Sequence, residues 1–229
     1  TNLSAGTVTL PTSIITGQTE KTTLVDADKF LISDSAASGA FKYVQKSNLG
    51  ASGLVPLAKI ESSPSDSNIQ TVALDNFMDS DTYAAYKVIF TAKSTNNGYP
   101  VECRFRDGGS ALTAAVYQYA NTQYVQGGVT DLLGGQDSRA LLFNDASTRT
   151  LTLEFTLVPD NTVGSNQGLS LGHYHGHADS YSSNNRKART CTGAFYFVND
   201  TVPDGFEVTN QNGNWEDYEM HAYGFRKYS

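Results

Sequence analysis

Val101-Glu102-Cys103-Arg104-Phe105-Arg106 sets apolar against charged residues in alternation and runs into Asp107-Gly108-Gly109. Side chains of an extended strand point to opposite faces in turn, so this run reads as a β-strand with one face in a core and one wet, closed by a turn. The same reading extends outward. Tyr86 to Thr91 is β-branched and aromatic, and Asn97-Gly98 follows it as a hairpin-type turn. Ala115 to Tyr119, Arg139 to Phe143, Thr150 to Val158, Thr190 to Val198 and Tyr218 to Tyr228 repeat the theme. That makes about eight to ten strands separated by turn signals, the spacing of a sandwich or barrel. Helical character is confined to a short stretch near Asp75 to Thr82, and no fixed-period repeat suggests a solenoid.

The expected fold is all-β: an antiparallel β-sandwich or jelly roll over 54–229, preceded by a small, extended docking module over 1–53. The first 53 residues hold only three aromatics, Phe30, Phe41 and Tyr43, too few for a core of their own. Such a segment should lean on a partner chain or the larger domain, for instance by strand pairing. Gly50-Ala51-Ser52-Gly53 is the expected linker.

The chain has 229 residues, 39% of them hydrophobic and 17% charged, so Ser, Thr, Asn and Gln must cover much of its surface. A formal net charge of −7 argues against a nucleic-acid partner, which needs clustered Lys and Arg. The one basic cluster, Arg186, Lys187 and Arg189, reads as a solvated loop, with contact to an acidic glycan or lipid head group as the alternative. Two cysteines, Cys103 and Cys191, are too few for a disulfide framework or a four-ligand zinc site. They are expected as buried free thiols of a protein made in a reducing cytosol, with a single bridge as the alternative. No stretch approaches the ~20 apolar residues that span a membrane, so no membrane insertion is expected. TNLSAGTVTL lacks the regions of a secretory signal, and Thr1 fits removal of an initiator Met.

Gly168-Leu169-Ser170-Leu171-Gly172 matches the nucleophile elbow of hydrolases in letters only. The elbow needs a strand-to-helix turn in an α/β sheet, and alternating β and α units are missing, so a glycine-punctuated strand is expected and no catalytic residue is assigned. His173, His175 and His177 follow at alternate positions, which places three imidazoles on one face of an extended strand. They are the candidate ligands of a transition metal; the competing reading is a His/Tyr-rich face without metal. One strand spaces its rings too widely for a compact site, but a three-fold axis would bring six nitrogens to an octahedral ion. Asp75, Asp79 and Asp81 lack the spacing of a calcium loop and read as turn or capping residues.

Tyr117 and Tyr119 share a strand face and are read as packing residues. The candidate receptor contacts are Trp215, in the loop-like Asn212-Gly213-Asn214-Trp215, with Tyr181 and Tyr124. No P-loop or dinucleotide fingerprint is present, and no pair of carboxylates stands out as a glycosidase site.

Asp26-Ala27-Asp28-Lys29-Phe30-Leu31-Ile32-Ser33-Asp34-Ser35, continued by Phe41-Lys42-Tyr43-Val44-Gln45-Lys46-Ser47-Asn48-Leu49, resembles a segment near the N-terminus of bacteriophage tail-fibre-like virion proteins, notably of phages of marine bacteria. Leu74 to Phe77 with Tyr83 to Phe90, and the closing Glu216 to Tyr228, are similar to parts of the β-sandwich domain in the same proteins. The resemblance implies a non-enzymatic virion structural protein made in the host cytoplasm, commonly a homotrimer. Its N-terminal part would bind other virion proteins, and its C-terminal domain a host cell-surface glycan or protein. The His-x-His spacing is similar to pairs that hold metal in some trimeric fibres. A capsid or baseplate subunit that binds only other virion proteins is the alternative. A depolymerase-type enzyme ranks third, because the long β-helix usual in such enzymes is missing.

Overall fold

The computed structural model describes residues 29–34, 40–45, 54–63, 66, 68–94, 100–113, 116–126, 129–143, 148–159, 169–182, 185–198, 201–211 and 213–227. The chain divides into two compact units, Thr1–Ala51 and Ser52–Ser229. In the first, β1 (Lys29–Asp34) and β2 (Ala40–Gln45) form an antiparallel pair with Phe30 opposite Val44. The Gly50–Gly53 linker and the Asn97-Gly98 turn lie outside the described residues.

The second unit holds thirteen described strands: β3 (Leu54–Glu61), β4 (Thr71–Leu74), β5 (Tyr83–Ser94), β6 (Val101–Asp107), β7 (Ser110–Ala111), β8 (Val116–Val125), β9 (Val129–Asp137), β10 (Ala140–Phe143), β11 (Thr148–Val158), β12 (Leu169–Ser182), β13 (Asn185–Val198), β14 (Gly205–Asn210) and β15 (Trp215–Arg226). Eight of them form one sheet in the order β3-β15-β5-β11-β12-β13-β8-β9. A smaller sheet runs β10-β6-β14-β4, with β7 paired to β6. All pairings are antiparallel, and the two sheets share one apolar core, so the unit is a β-sandwich.

Aromatic rings join the sheets. Phe206 of β14 packs against Phe155 of β11 at 4.8 Å between ring centres, and Phe105 of β6 lies 5.8 Å from both Phe195 and Phe197 of β13. Neighbouring strands within the large sheet make room for its rings with glycine. A Cβ on Gly172 would come within 2.1 Å of the Phe195 ring, and one on Gly193 within 2.8 Å of Tyr174. The Tyr117 hydroxyl, carried by β8, accepts the Phe105 N–H at 2.8 Å and so ties the large sheet to β6. Asn121 and Gln123, both buried on β8, donate their side-chain amides to the Leu141 and Leu142 carbonyls of β10 at 2.8 and 3.1 Å.

Three expectations need correction. Asp75 to Thr82 is not helical but a set of turns. Asp79 accepts the Asp81 N–H at 3.0 Å and the Thr82 hydroxyl at 2.6 Å, which holds the chain in a turn and keeps its carboxyl below the usual range. Trp215 is not exposed: it opens β15, is 2% accessible, and packs edge-on against Phe90 at 5.3 Å. Its indole is too large an apolar surface to leave in water when the inner face beside Phe90 can take it.

The second face of β6 is also drier than alternation suggests. Arg104 reaches Glu207 at 3.3 Å, Arg106 reaches Glu207 and, at 2.6 Å, Asp75, and Arg139 reaches Glu102 at 3.0 Å. Glu207 is 3% exposed within this ladder, and Glu102 Oε2 has no hydrogen-bond partner. Cys103 and Cys191 are buried free thiols on β6 and β13, raised by burial.

Truncating Phe206, which touches rings of both sheets, should cost about 3–5 kcal/mol, read as a lower urea midpoint for Phe206→Ala. Burial raises the Glu102 carboxyl above its ordinary value, against the pull of Arg139 and Arg104. A raised carboxyl favours folding in its protonated form, so this stabilisation is present below the unfolded value and is lost as pH rises towards the folded one. The melting temperature of Glu102→Gln should therefore gain on the wild type as pH rises from about 4 to 7. A constant difference across that range would show that Glu102 does not titrate in this way.

Candidate functional site

The inner face of the eight-stranded sheet is used up by the core, which leaves its outer face to meet other molecules. Strand periodicity decides which side chains lie there. On β12, Tyr174, Gly176 and Ala178 are buried, while Leu171, His173, His175 and His177 are exposed. On β13, Thr192, Ala194 and Val198 are exposed between the buried Cys191, Phe195 and Phe197.

Register turns these positions into rows across the sheet. Val158 of β11 stands opposite Leu171, which stands opposite Tyr196 of β13, which stands opposite Gln118 of β8. The next row reads Thr156, His173, Ala194, Ala120 and Gly134. Val158, Leu171 and Tyr196 in the first row and the smaller Thr156, Ala194 and Ala120 in the second border a hollow of about 570 Å³, which Gln118 and His173 also line. Val158 and Leu171 are 40% and 45% exposed at its rim. The Tyr196 hydroxyl donates to the side-chain carbonyl oxygen of Gln118 at this end. Apolar walls with one imidazole beside them suit an apolar group more than a sugar or a phosphate.

The predicted histidine face is present, but the three rings do not converge. His175 Nε2 and His177 Nε2 approach to 2.9 Å, with rings edge to face at 4.6 Å, while His173 borders the hollow. Among the described residues no group of three or more His, Cys, Asp or Glu side chains comes together to hold a metal. The reason is strand geometry: alternate residues are ~7 Å apart along the chain, and only one pair can lean together. The pair offers two nitrogen donors from one chain. Glu154, opposite His175, is bound by Lys87 at 2.8 Å, which holds its carboxyl below the usual range with added attraction from both imidazoles.

Tyr124 is 53% exposed on the outer face of β8, in the row that contains Thr190 and His177. Tyr181 lies in β12, but its side chain is outside the described residues, as are those of Arg186 and Lys187. Arg189 is buried rather than solvated. Tyr117 is buried in the core, as its packing role requires, and Tyr119 is half-buried. Ser170 of the apparent nucleophile motif is buried within β12, facing the core. Leu171, Val158 and Tyr196 were not singled out from sequence; sharing the parity of the histidines, Leu171 carried the one available signal.

No family model, curated protein or solved structure matches the chain. Among the described residues no helix is long and apolar enough to cross a membrane.

Proposed function

We propose that this chain is a non-enzymatic structural protein of a bacteriophage particle that carries an attachment surface on its sandwich. The observation that carries the reading is the apolar hollow on the outer face of the eight-stranded sheet, walled by Val158, Leu171 and Ala194. Rigid strands hold these side chains, so little ordering is needed on contact. The apolar lining favours a protein over a glycan, which points to an outer-surface protein of the host as the receptor. Tyr124 and the His175–His177 pair extend the same face. Several copies on one particle would raise avidity for a repetitive cell surface. The N-terminal unit is then the part that joins other virion proteins.

The same apolar lining also suits a neighbour within the particle, as a capsid or baseplate role would require. The two readings separate experimentally. Pure protein pre-incubated with susceptible cells should slow phage adsorption, and Leu171→Asp should abolish the effect while leaving the melting temperature within about a degree, because its side chain lies outside the core. No slowing at saturating dose removes the attachment role. Fixed stoichiometry in purified particles would then support the structural one.

A further inference from the structure

Each sheet of the sandwich has two edges, and a strand edge presents unpaired N–H and C=O groups to any other chain. Among the described residues, three of the four edge strands carry a recognisable guard. β3 contains Pro56, which has no N–H to donate, and Lys59 in an ion pair with Glu61. β4 and β10 are four residues each, and β10 also receives the Asn121 and Gln123 amides on its carbonyls. β9, Val129-Thr130-Asp131-Leu132-Leu133-Gly134-Gly135-Gln136-Asp137, is nine residues long with no Pro, Lys or Arg. Leu132 on it is 79% exposed, the most exposed large apolar side chain among the described residues.

The residues of β9 specify what this edge can pair with. Antiparallel pairing of β9 with a second β9 about a two-fold axis through Leu133 matches all nine residues. It sets Leu133 opposite Leu133, Leu132 opposite Gly134, Asp131 opposite Gly135, Thr130 opposite Gln136 and Val129 opposite Asp137. No carboxylate stands opposite another. Moving the axis by one residue towards the C-terminus would set Asp131 against Asp137.

The outer surface fits the same register. Gly134 has no side chain and borders a second hollow of about 570 Å³, lined also by Ala120, Leu132, Thr192, Ala194 and His173. A Leu132 from the second copy would lie over Gly134 at the rim of this hollow, and the two-fold makes the contact reciprocal. A knob and a socket on one strand, related by a two-fold, form the self-complementary patch of an isologous dimer.

We propose that two copies of this chain pair through β9, Val129–Asp137 against Val129–Asp137, joining their eight-stranded sheets edge to edge. This goes beyond the attachment reading and departs from the homotrimer that the resemblance implies; it concerns a different contact and a different measurement from the attachment role. Light scattering of the full chain on a sizing column should give twice 24.7 kDa, about 49 kDa. Leu132→Glu puts a charge on an already exposed position, so it should return the mass to that of one chain without changing the fold seen by circular dichroism. Leu133→Cys places a thiol on the two-fold, where strand partners are ~5 Å apart, and should yield a covalent dimer on mild oxidation. The thiol of Leu132→Cys would face Gly134 instead, so this variant should cross-link poorly. A wild-type mass of one chain up to high concentration, a trimer of three times 24.7 kDa, or a dimer that survives Leu132→Glu overturns the proposal.

Discussion

The contact of Phe206 and Phe105 with Phe155, Phe195 and Phe197 is the interaction on which the sandwich depends. Two sheets of unequal width must stay closed along a common strip, and a row of rings fills that strip. The Tyr174 and Phe195 rings of β12 and β13 fit because each lies beside a glycine on the adjacent strand of the same sheet. Phe195 lies over Gly172, and Tyr174 lies against Gly193. Large and small residues therefore alternate across strands as well as along them, which is how a dry core reaches close packing without voids. Burial of this strip in turn commits the alternate residues of β12 and β13 to the outside. The face that carries the hollow is the reverse side of the core.

Polar groups finish what the rings begin. The smaller sheet holds its outer face together with a ladder of Asp75, Arg106, Glu207 and Arg104, and β10 is tied to the larger sheet by two side-chain amides. Buried ion pairs add little net stability over apolar packing, but a broken one leaves a charge stranded. The ladder thus helps to fix register: Arg104 stands opposite Glu207, and a slip by one residue would set Glu207 against Cys103 or Phe105. Tyr117 serves the same end from β8, because its hydroxyl meets a single backbone N–H of β6.

Much of this was legible in the amino-acid sequence, and the limits have physical causes. The alternation in Val101 to Arg106 placed Cys103 and Phe105 correctly inside, because period is a local property. The histidines emerged on one face for the same reason. Trp215 was misjudged because Asn212-Gly213-Asn214 looks like a loop, while the ring that draws the indole inward, Phe90, lies far away in the chain. β9 gave no signal at all, since Leu132-Leu133-Gly134-Gly135 neither alternates nor carries β-branched residues. Its place at the sheet edge comes from pairing with β8. Nor could sequence say that two imidazoles would lean together and leave the third beside an apolar hollow.

One closed aromatic strip fixes the inner strands, puts β9 at the edge of the large sheet and turns the alternate residues of β12 and β13 to its outer face. Amide hydrogen exchange, resolved by peptide and repeated over a range of protein concentrations, addresses it directly. The account predicts slow exchange of β5, β11, β12 and β13 at every concentration, and protection of β9 that rises with concentration. Fast exchange of β12 and β13, or a β9 indifferent to concentration beside an equally fast core, would contradict it.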